Sequence, residues 1–260
     1  MRAEPFSDDD LTRNAFLGGR VRLWQPRGGY RAGIDPVLLA ASVPADPGQS
    51  VLELGCGAGA ALACLGARVP GLALTGVELQ PAYAALARRN LAENGLDGRI
   101  VEADLTALPR DMRAQSFAHV LANPPYFDAS RRSAASDAGR DMAQAGGTPL
   151  ADWVDCAARR LAPGGTATFI QRMDRLPELL AAMQARLGSL ALWPIAARAG
   201  RDAGLMLLRG RKGGRAAFVC HAPLILHSGA RHERDGDDYT PQISDVLRLG
   251  QALLFPTQSR

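Results

Sequence analysis

At 260 residues with 47% hydrophobic side chains, the chain is long enough to bury the core of one α/β domain with a small extension. Its net charge of +4 is mildly basic and does not by itself mark a nucleic-acid binder. Cys56, Cys64, Cys156 and Cys220 form no C-x-x-C pair, which excludes a zinc signature and a disulfide framework. Reduced thiols then fit a cytoplasmic location. The stretch Met1 to Asp10 has no apolar core of a leader, and no uncharged apolar run reaches the roughly 18 residues of a membrane span, so no membrane partner is expected.

Residues 1–13 read as a frayed polar start, and 14–32 as short strands around Gly18-Gly19 and Gly28-Gly29. Asp35-Pro36 opens a helix through Ala41, with Asp35 as N-cap and Pro36 in the first helical position. From Ser50 strands alternate with helices. Strands are expected at 51–54, 72–78, 99–102, 117–122 and 166–171, and helices at 58–68, 81–93, 150–161 and 177–187. Residues 191–196 and 204–208 read as a final hairpin, 217–226 as an extended piece and 240–255 as a last helix. There are no internal repeats. Alternation of this kind specifies a mostly parallel, doubly wound sheet whose ligands sit at the carboxyl ends of its strands. The division expected is an N-terminal extension, 1–49, with short strands and an entry helix, followed by a domain over 50–260.

Charge is segregated. Residues 11–34 hold Arg13, Arg20, Arg22, Arg27 and Arg31 without an acid, and residues 198–215 hold Arg198, Arg201, Arg209, Arg211, Lys212 and Arg215 against Asp202 alone. Phe16, Trp24 and Tyr30 lie in the first segment. Two readings stand: a basic surface with aromatics that stack on bases, or a small solvated β element with its aromatics in the core.

The first core strand ends in Glu53-Leu54-Gly55-Cys56-Gly57-Ala58-Gly59. Alternate glycines let backbone turn tightly and approach a ligand. The second strand ends in Glu78-Leu79, where a carboxylate can accept both hydroxyls of a ribose. The third ends in Ala103-Asp104-Leu105, placing a carboxylate or backbone group against an adenine edge. Gly55, Gly57 and Ala60 also satisfy a dinucleotide pattern, so an NAD-dependent oxidoreductase is a competitor. Glu53 argues against it, because a negative charge there would face a pyrophosphate. It suits a cation instead, such as the ammonium and sulfonium of S-adenosylmethionine.

The strand 117–122 runs into Asn123-Pro124-Pro125-Tyr126. An exocyclic or amide NH₂ is a poor nucleophile, and two acceptors aimed at its N–H bonds favour the charge-developing nitrogen of a transition state. The side-chain oxygen of Asn123 and the carbonyl of Pro124 are the candidates. The prolines fix φ, so little reorganises. Tyr126, with Pro125 and Phe127, would pack on a base taken out of its helix or loop. Hydride transfer finds no use for this motif. His119 reads as a hydrogen-bonded core residue, and the other histidines lack metal spacing, so no metal is expected.

These residues resemble a class I S-adenosylmethionine-dependent methyltransferase with an Asn-Pro-Pro-Tyr motif, and within that group the bacterial tRNA(Val) adenine-N6 methyltransferases. The likeness runs from about Phe16 to Leu254 and includes Arg31-Ala32-Gly33-Ile34-Asp35-Pro36-Val37-Leu38-Leu39. Relatives usually have Thr at the position of Ile34 and often Asp at that of Glu53. The resemblance implies a Rossmann-like fold with a seven-stranded, mostly parallel sheet and an antiparallel last strand. It implies that S-adenosylmethionine is lined by Glu53, Gly55, Gly57, Gly59, Glu78, Leu79, Asp104 and Leu105, with Asp35 closing the pocket. It implies that Asn123, Pro124 and Tyr126 serve an adenine N6 in tRNA beside the anticodon. Arg31, Arg131 and Arg132 are the candidate phosphate contacts, the last two in a long loop, 128–148. The same motif serves glutamine-N5 and DNA or rRNA amino-methyltransferases. The 49 residues ahead of the first core strand are short for the substrate-reading domain of a glutamine enzyme. A non-catalytic RNA-binding module is a further alternative, and a monomer is the default state.

Overall fold

The computed structural model describes residues 4–126, 148–229 and 238–257. An antiparallel hairpin, β1 (Leu11–Phe16) and β2 (Val21–Pro26), comes first. It is followed by α1 (Asp35–Ser42), β3 (Ser50–Leu54), α2 (Ala60–Arg68), β4 (Ala73–Glu78), α3 (Pro81–Glu93), β5 (Gly98–Glu102), α4 (Arg110–Ala114) and β6 (Phe117–Ala122). After residue 147 come α5 (Leu150–Arg160), β7 (Leu161–Arg172), α6 (Leu176–Gln184), β8 (Gly188–Ala196) and β9 (Ala203–Arg211). Two short strands, β10 (Val219–Cys220) and β11 (Leu224–Ile225), and a short α7 (Pro241–Ser244) complete the described chain.

The central order is β5-β4-β3-β6-β7-β9-β8, with β9 antiparallel to both neighbours and every other pairing parallel. This is the doubly wound sheet expected. Its inner strands are apolar on both faces, as burial under helices on each side requires: Val51, Leu52 and Leu54 are wholly inaccessible. α1, α2, the hairpin and the C-terminal segment cover one face, and α4, α5 and α6 the other.

Four expectations are corrected. The sheet has nine strands rather than seven, because the 217–226 piece pairs with β8 in two short stretches, interrupted at His221-Ala222-Pro223; Pro223 has no N–H to give a ladder. The start is not frayed to residue 13, since Leu11 is buried and opens β1. The last helix does not run to 255: α7 continues into a π-helical turn, Asp245–Leu249, which stops where Gly250 turns left-handed at φ 65°; Leu253 and Phe255 then reach the core, fastened by the Leu253 N–H to the Ala41 carbonyl at 2.8 Å. Finally, α1 is not capped by Asp35. Ile34 stands at the cap without a side-chain bond, and Asp35 is the first helical residue, its carboxylate engaged elsewhere, as described below.

The hairpin is docked on α3 by two asparagines one turn apart. Asn90, fully buried, accepts the N–H of Trp24 at 2.8 Å and donates to the carbonyls of Trp24 and Ala58 at 3.0 and 2.9 Å. Asn94 does the same for the N–H and carbonyl of Arg22, at 2.9 and 2.8 Å. Their amides thus replace an edge strand for β2, and Asn90 also reaches the loop after β3.

Candidate active site

β3, β4, β5 and β6 deliver their carboxyl ends to one edge of the sheet. Leu54 lies opposite Ala122 in the β3–β6 pairing, so the glycine loop and Asn123 leave the sheet side by side, about one strand spacing (~5 Å) apart. The loop has Gly55, Gly57 and Gly59 at φ 64°, 53° and 80°, a region that costs an L side chain roughly 1–2 kcal/mol per residue. Close approach adds to this at Gly55, where a Cβ would come within 2.5 Å of the Trp153 ring, buried on α5. Gly59 caps α2, so the loop opens directly onto a helix N-terminus.

Glu53 is 3% exposed and accepts the Leu62 N–H of α2 at 3.2 Å. Burial drives its carboxyl well above the ordinary range, and the charge of Glu78 pushes the same way, against the Leu62 hydrogen bond. No cation compensates it among the described residues. A buried carboxylate is costly without such a partner, so the position fits a cationic ligand.

Glu78, also buried, spans the gap between β4 and the loop. Its Oε2 accepts the Gly57 N–H and its Oε1 the Gln80 N–H, both at 2.9 Å. Burial raises its pKa despite these backbone donors. Leu79 beside it is exposed. Asp104 uses one oxygen, Oδ1, to accept both the N–H and the hydroxyl of Thr106, at 2.8 and 2.7 Å, capping the short turn Leu105–Ala107.

Each part of Asn123-Pro124-Pro125-Tyr126 is held by a different element. The Asn123 amide nitrogen donates to the Tyr30 hydroxyl at 3.3 Å. The Pro124 carbonyl accepts from the Gln171 side chain at 3.2 Å; Gln171 is fully buried at the end of β7, and its oxygen accepts the Arg172 N–H at 2.9 Å. The Tyr126 hydroxyl donates to Asp35 Oδ2 at 2.7 Å. Pro124 is buried, while Pro125 and Tyr126 are exposed. Burial pushes the Tyr30 phenol up to about 12, helped by Glu53, Asp35 and Tyr83. Desolvation of its hydroxyl end and the Asp35 carboxylate bonded to it likewise raise that of Tyr126, although the residue as a whole is exposed. Both phenols therefore stay protonated and neither serves as a base.

The residues expected around a cofactor and an amine thus meet at one edge, together with Asp35. Arg31 does not join them: its guanidinium donates to Thr12 Oγ1, the Pro26 carbonyl and Asn14 Oδ1 at 2.8, 2.7 and 2.9 Å. Phe127, Arg131 and Arg132 lie outside the described residues. Sequence reasoning missed Gln171, Trp153, Tyr83 and the Asn90–Asn94 pair, and it read Tyr30 among the short strands of 14–32 rather than at this edge. A glutamine ending an apolar run was the one local signal for Gln171; Trp153 offered none. His119 is as expected, bonded to Thr166 Oγ1 at 2.9 Å and Gln49 Oε1 at 2.8 Å.

Much of the segregated charge fastens the fold. Arg20 donates to the carbonyls of Leu249 and Ala67, Arg27 to that of Asp9, Arg211 to that of Gly164 and Lys212 to that of Leu161. Arg13 pairs with Glu93, and Arg198 with Asp238. The Trp24 indole donates to Glu93 at 2.7 Å beneath the Arg89 guanidinium, 4.4 Å from the ring. The antiparallel course of β9 also carries Arg201 and Arg211 to opposite edges of the sheet.

Known proteins share this plan. A tRNA1(Val) (adenine(37)-N6)-methyltransferase of Porphyromonas gingivalis is 35% identical over 158 residues, 57% of this chain and 61% of that protein, so the chain spans less than two thirds of that relative's length. The ribosomal RNA small subunit methyltransferase C of Pseudomonas aeruginosa is 37% identical over 90 residues, 34% of this chain and 26% of that one. The crystal structure of a predicted O-methyltransferase from Agrobacterium tumefaciens superposes with a TM-score of 0.69 at 30% identity, covering 86% of this chain and all of that one. The Rossmann-like class I fold expected from the sequence is therefore the fold adopted. The family model described as methyltransferase small domain matches residues 32–183. That span exceeds half the sequence and holds both the glycine loop and the Asn-Pro-Pro-Tyr end of β6, and the chain belongs to this family.

Proposed function

We propose that this chain transfers a methyl group from S-adenosylmethionine to the exocyclic N6 of an adenine in tRNA, the adenine beside the anticodon of tRNA(Val) being the first candidate. The observation that carries the reading is the pairing at one sheet edge of a buried carboxylate without a cation, Glu53, and an amide, Asn123, whose nitrogen is already engaged. The similarity to the tRNA1(Val) enzyme supports tRNA as the substrate class.

The residues present fit the cofactor: Glu53 lacks a counter-ion, and the three left-handed glycines leave backbone open to a ligand. Glu53, Gly55, Gly57 and Gly59 would hold its amino-acid end, Glu78 its ribose, and Leu79, Asp104 and Leu105 its adenine. When bound, S-adenosylmethionine supplies a methyl group on a sulfonium. The chain's own part is positioning. Asn123 Oδ1 and the second lone pair of the Pro124 carbonyl accept the two N–H bonds of the substrate amine, favouring the nitrogen as it becomes cationic. Tyr126, tied to Asp35, offers its ring to the base. No base is needed before attack, because the proton leaves after the nitrogen is cationic. We assign Asp35 to closing the site through Tyr126, and keep Phe127, Arg131 and Arg132 as substrate contacts beyond the described residues.

The division into an extension, 1–49, and a domain, 50–260, is retained as a functional one. A cytoplasmic location and a monomeric state complete the proposal. Among the described residues no helix is long and apolar enough to cross a membrane, and no group of His, Cys, Asp and Glu is arranged to hold a metal ion.

The test is nucleoside mass spectrometry of tRNA from a deletion strain, before and after incubation with the purified chain and S-adenosylmethionine. Loss of N6-methyladenosine in vivo and its return in vitro are expected. Unchanged N6-methyladenosine in every tRNA would refute the assignment, and methylation of ribosomal RNA instead would move it to the second relative's class. Asn123→Ala should lower turnover by about 10²-fold, as for loss of one transition-state acceptor, with cofactor binding retained.

A further inference from the structure

Tyr30 lies outside the span matched by the family model, yet it stands between the two halves of the site. Its ring edge passes 3.8 Å from where a Gly57 Cβ would be, and its hydroxyl is 3.3 Å from the Asn123 amide nitrogen. Its backbone is fixed from both sides by one hydroxyl: Tyr83 accepts the Tyr30 N–H at 3.1 Å and donates to the Tyr30 carbonyl at 3.3 Å. Tyr83 is buried on α3, so the perch of Tyr30 is built rather than incidental. Tyr30 as a residue is 54% exposed and makes little of the core, which leaves its hydroxyl as the part with a specific partner.

A side-chain amide has two ends of similar shape and opposite polarity. The substrate amine presents two donors, so only the oxygen end of Asn123 can serve it. An Asn123 turned by 180° would aim N–H at N–H. We infer that Tyr30 is a positioning residue for the methyl transfer: by accepting from Asn123 Nδ2, its hydroxyl leaves Oδ1 as the end that faces the substrate amine. The inference rests on the reading of the site given under Proposed function. Desolvation at the hydroxyl end, with the acids around it, pushes its pKa up to about 12. The hydroxyl keeps its own proton and takes none from the substrate.

The test is a double-mutant cycle of Tyr30→Phe and Asn123→Ala, read as single-turnover methylation of unmodified tRNA with labelled S-adenosylmethionine. Tyr30→Phe removes one oxygen and keeps the ring and both backbone bonds to Tyr83. In the unaltered background it should lower the rate about tenfold, the scale of one neutral hydrogen bond. The KM for tRNA and the Kd for cofactor should stay within about twofold. In the Asn123→Ala background the same change should leave the residual rate unaltered within about twofold, because the group it positions is gone. An equal tenfold loss in both backgrounds would overturn the inference, as would a Tyr30→Phe rate equal to that of the unaltered chain, or a loss that falls wholly on cofactor Kd. No methylation by the unaltered chain is a different result: it removes the reading of the site itself and the inference with it. A thermal melt of Tyr30→Phe matching the unaltered chain is expected alongside.

Discussion

Glu78 is bonded as a carboxylate that builds the glycine loop, and Glu78→Gln measures what that bonding is worth. Both of its oxygens accept backbone N–H groups, Oε2 from Gly57 and Oε1 from Gln80. An amide has one accepting oxygen, so Gln must turn its NH₂ against one of those donors. A hydrogen bond to a charged group is worth about 1.5–3 kcal/mol, and a buried donor left unpaired costs about 1–3 kcal/mol. The neutral amide recovers part of this, since burial already disfavours the charged carboxylate. A net loss of about 1–3 kcal/mol follows, and for a chain of this size a melting point lower by roughly 2–6 °C. The assay is calorimetric melting of the chain without cofactor, so that lost ribose contacts cannot enter. Asp104→Asn is the internal control. Both Asp104 bonds fall on Oδ1, an oxygen that Asn can keep, and its melting point should move by less than about 2 °C. A Glu78→Gln melt equal to that of Asp104→Asn would refute the claim that Glu78 builds the loop.

Asn90→Ala strips three partners at once, the N–H and carbonyl of Trp24 and the carbonyl of Ala58; urea denaturation should show a loss of about 2–5 kcal/mol, and a loss under 1 kcal/mol would mean that water replaces the amide. Glu53 has a pKa well above 4.5 in the chain without ligand, so the folded state holds a proton that the unfolded state releases. Its share of stability is therefore present at low pH and declines as pH rises from 4.5 through the raised folded value, a slope that Glu53→Gln should remove from melts taken across pH 5–8. Binding a cation favours the ionised form, so affinity for S-adenosylmethionine should rise over the same window, with proton release visible by calorimetry in buffers of different ionisation heat.

Residues legible in the sequence share one property: their role is written in consecutive positions. Glu53 to Gly59, Glu78 and Asn123 to Tyr126 all follow directly from a strand end, and a doubly wound sheet brings such ends to one edge whatever else the chain does. What escaped depends on partners far away in the chain. Tyr30 meets Asn123 across 93 positions, and Gln171 meets Pro124 across 47. Neither carries a local signature, because a tyrosine in a glycine-rich turn and a glutamine at a strand end have many uses. The basic segments left two readings open for a different reason. Charge is visible in a sequence, but the several donors of each guanidinium are not, and here many of them are spent on helix-end and turn carbonyls of the same chain.

The same bonds tie the N-terminal extension to the proposed site in the domain that follows it. Among the described residues, two of the three side-chain bonds to the Asn-Pro-Pro-Tyr segment come from residues before β3: Tyr30 holds Asn123, and Asp35 holds Tyr126. Only the Pro124 carbonyl is held from within the sheet, by Gln171. Prolines fix φ but leave the asparagine amide free to turn and the tyrosine ring free to swing. The sheet alone would therefore place the motif without orienting it. Orientation arrives with the segment between the hairpin and α1, where Tyr83 holds Tyr30, while Asn90 and Asn94 dock the hairpin itself on α3. On the proposed reading, the acceptors are thus preorganised from a distance, by buried polar groups of α3. Helix α3 carries none of the groups assigned to the cofactor or the substrate amine, yet a change there should reach turnover through Tyr30 before it reaches cofactor affinity.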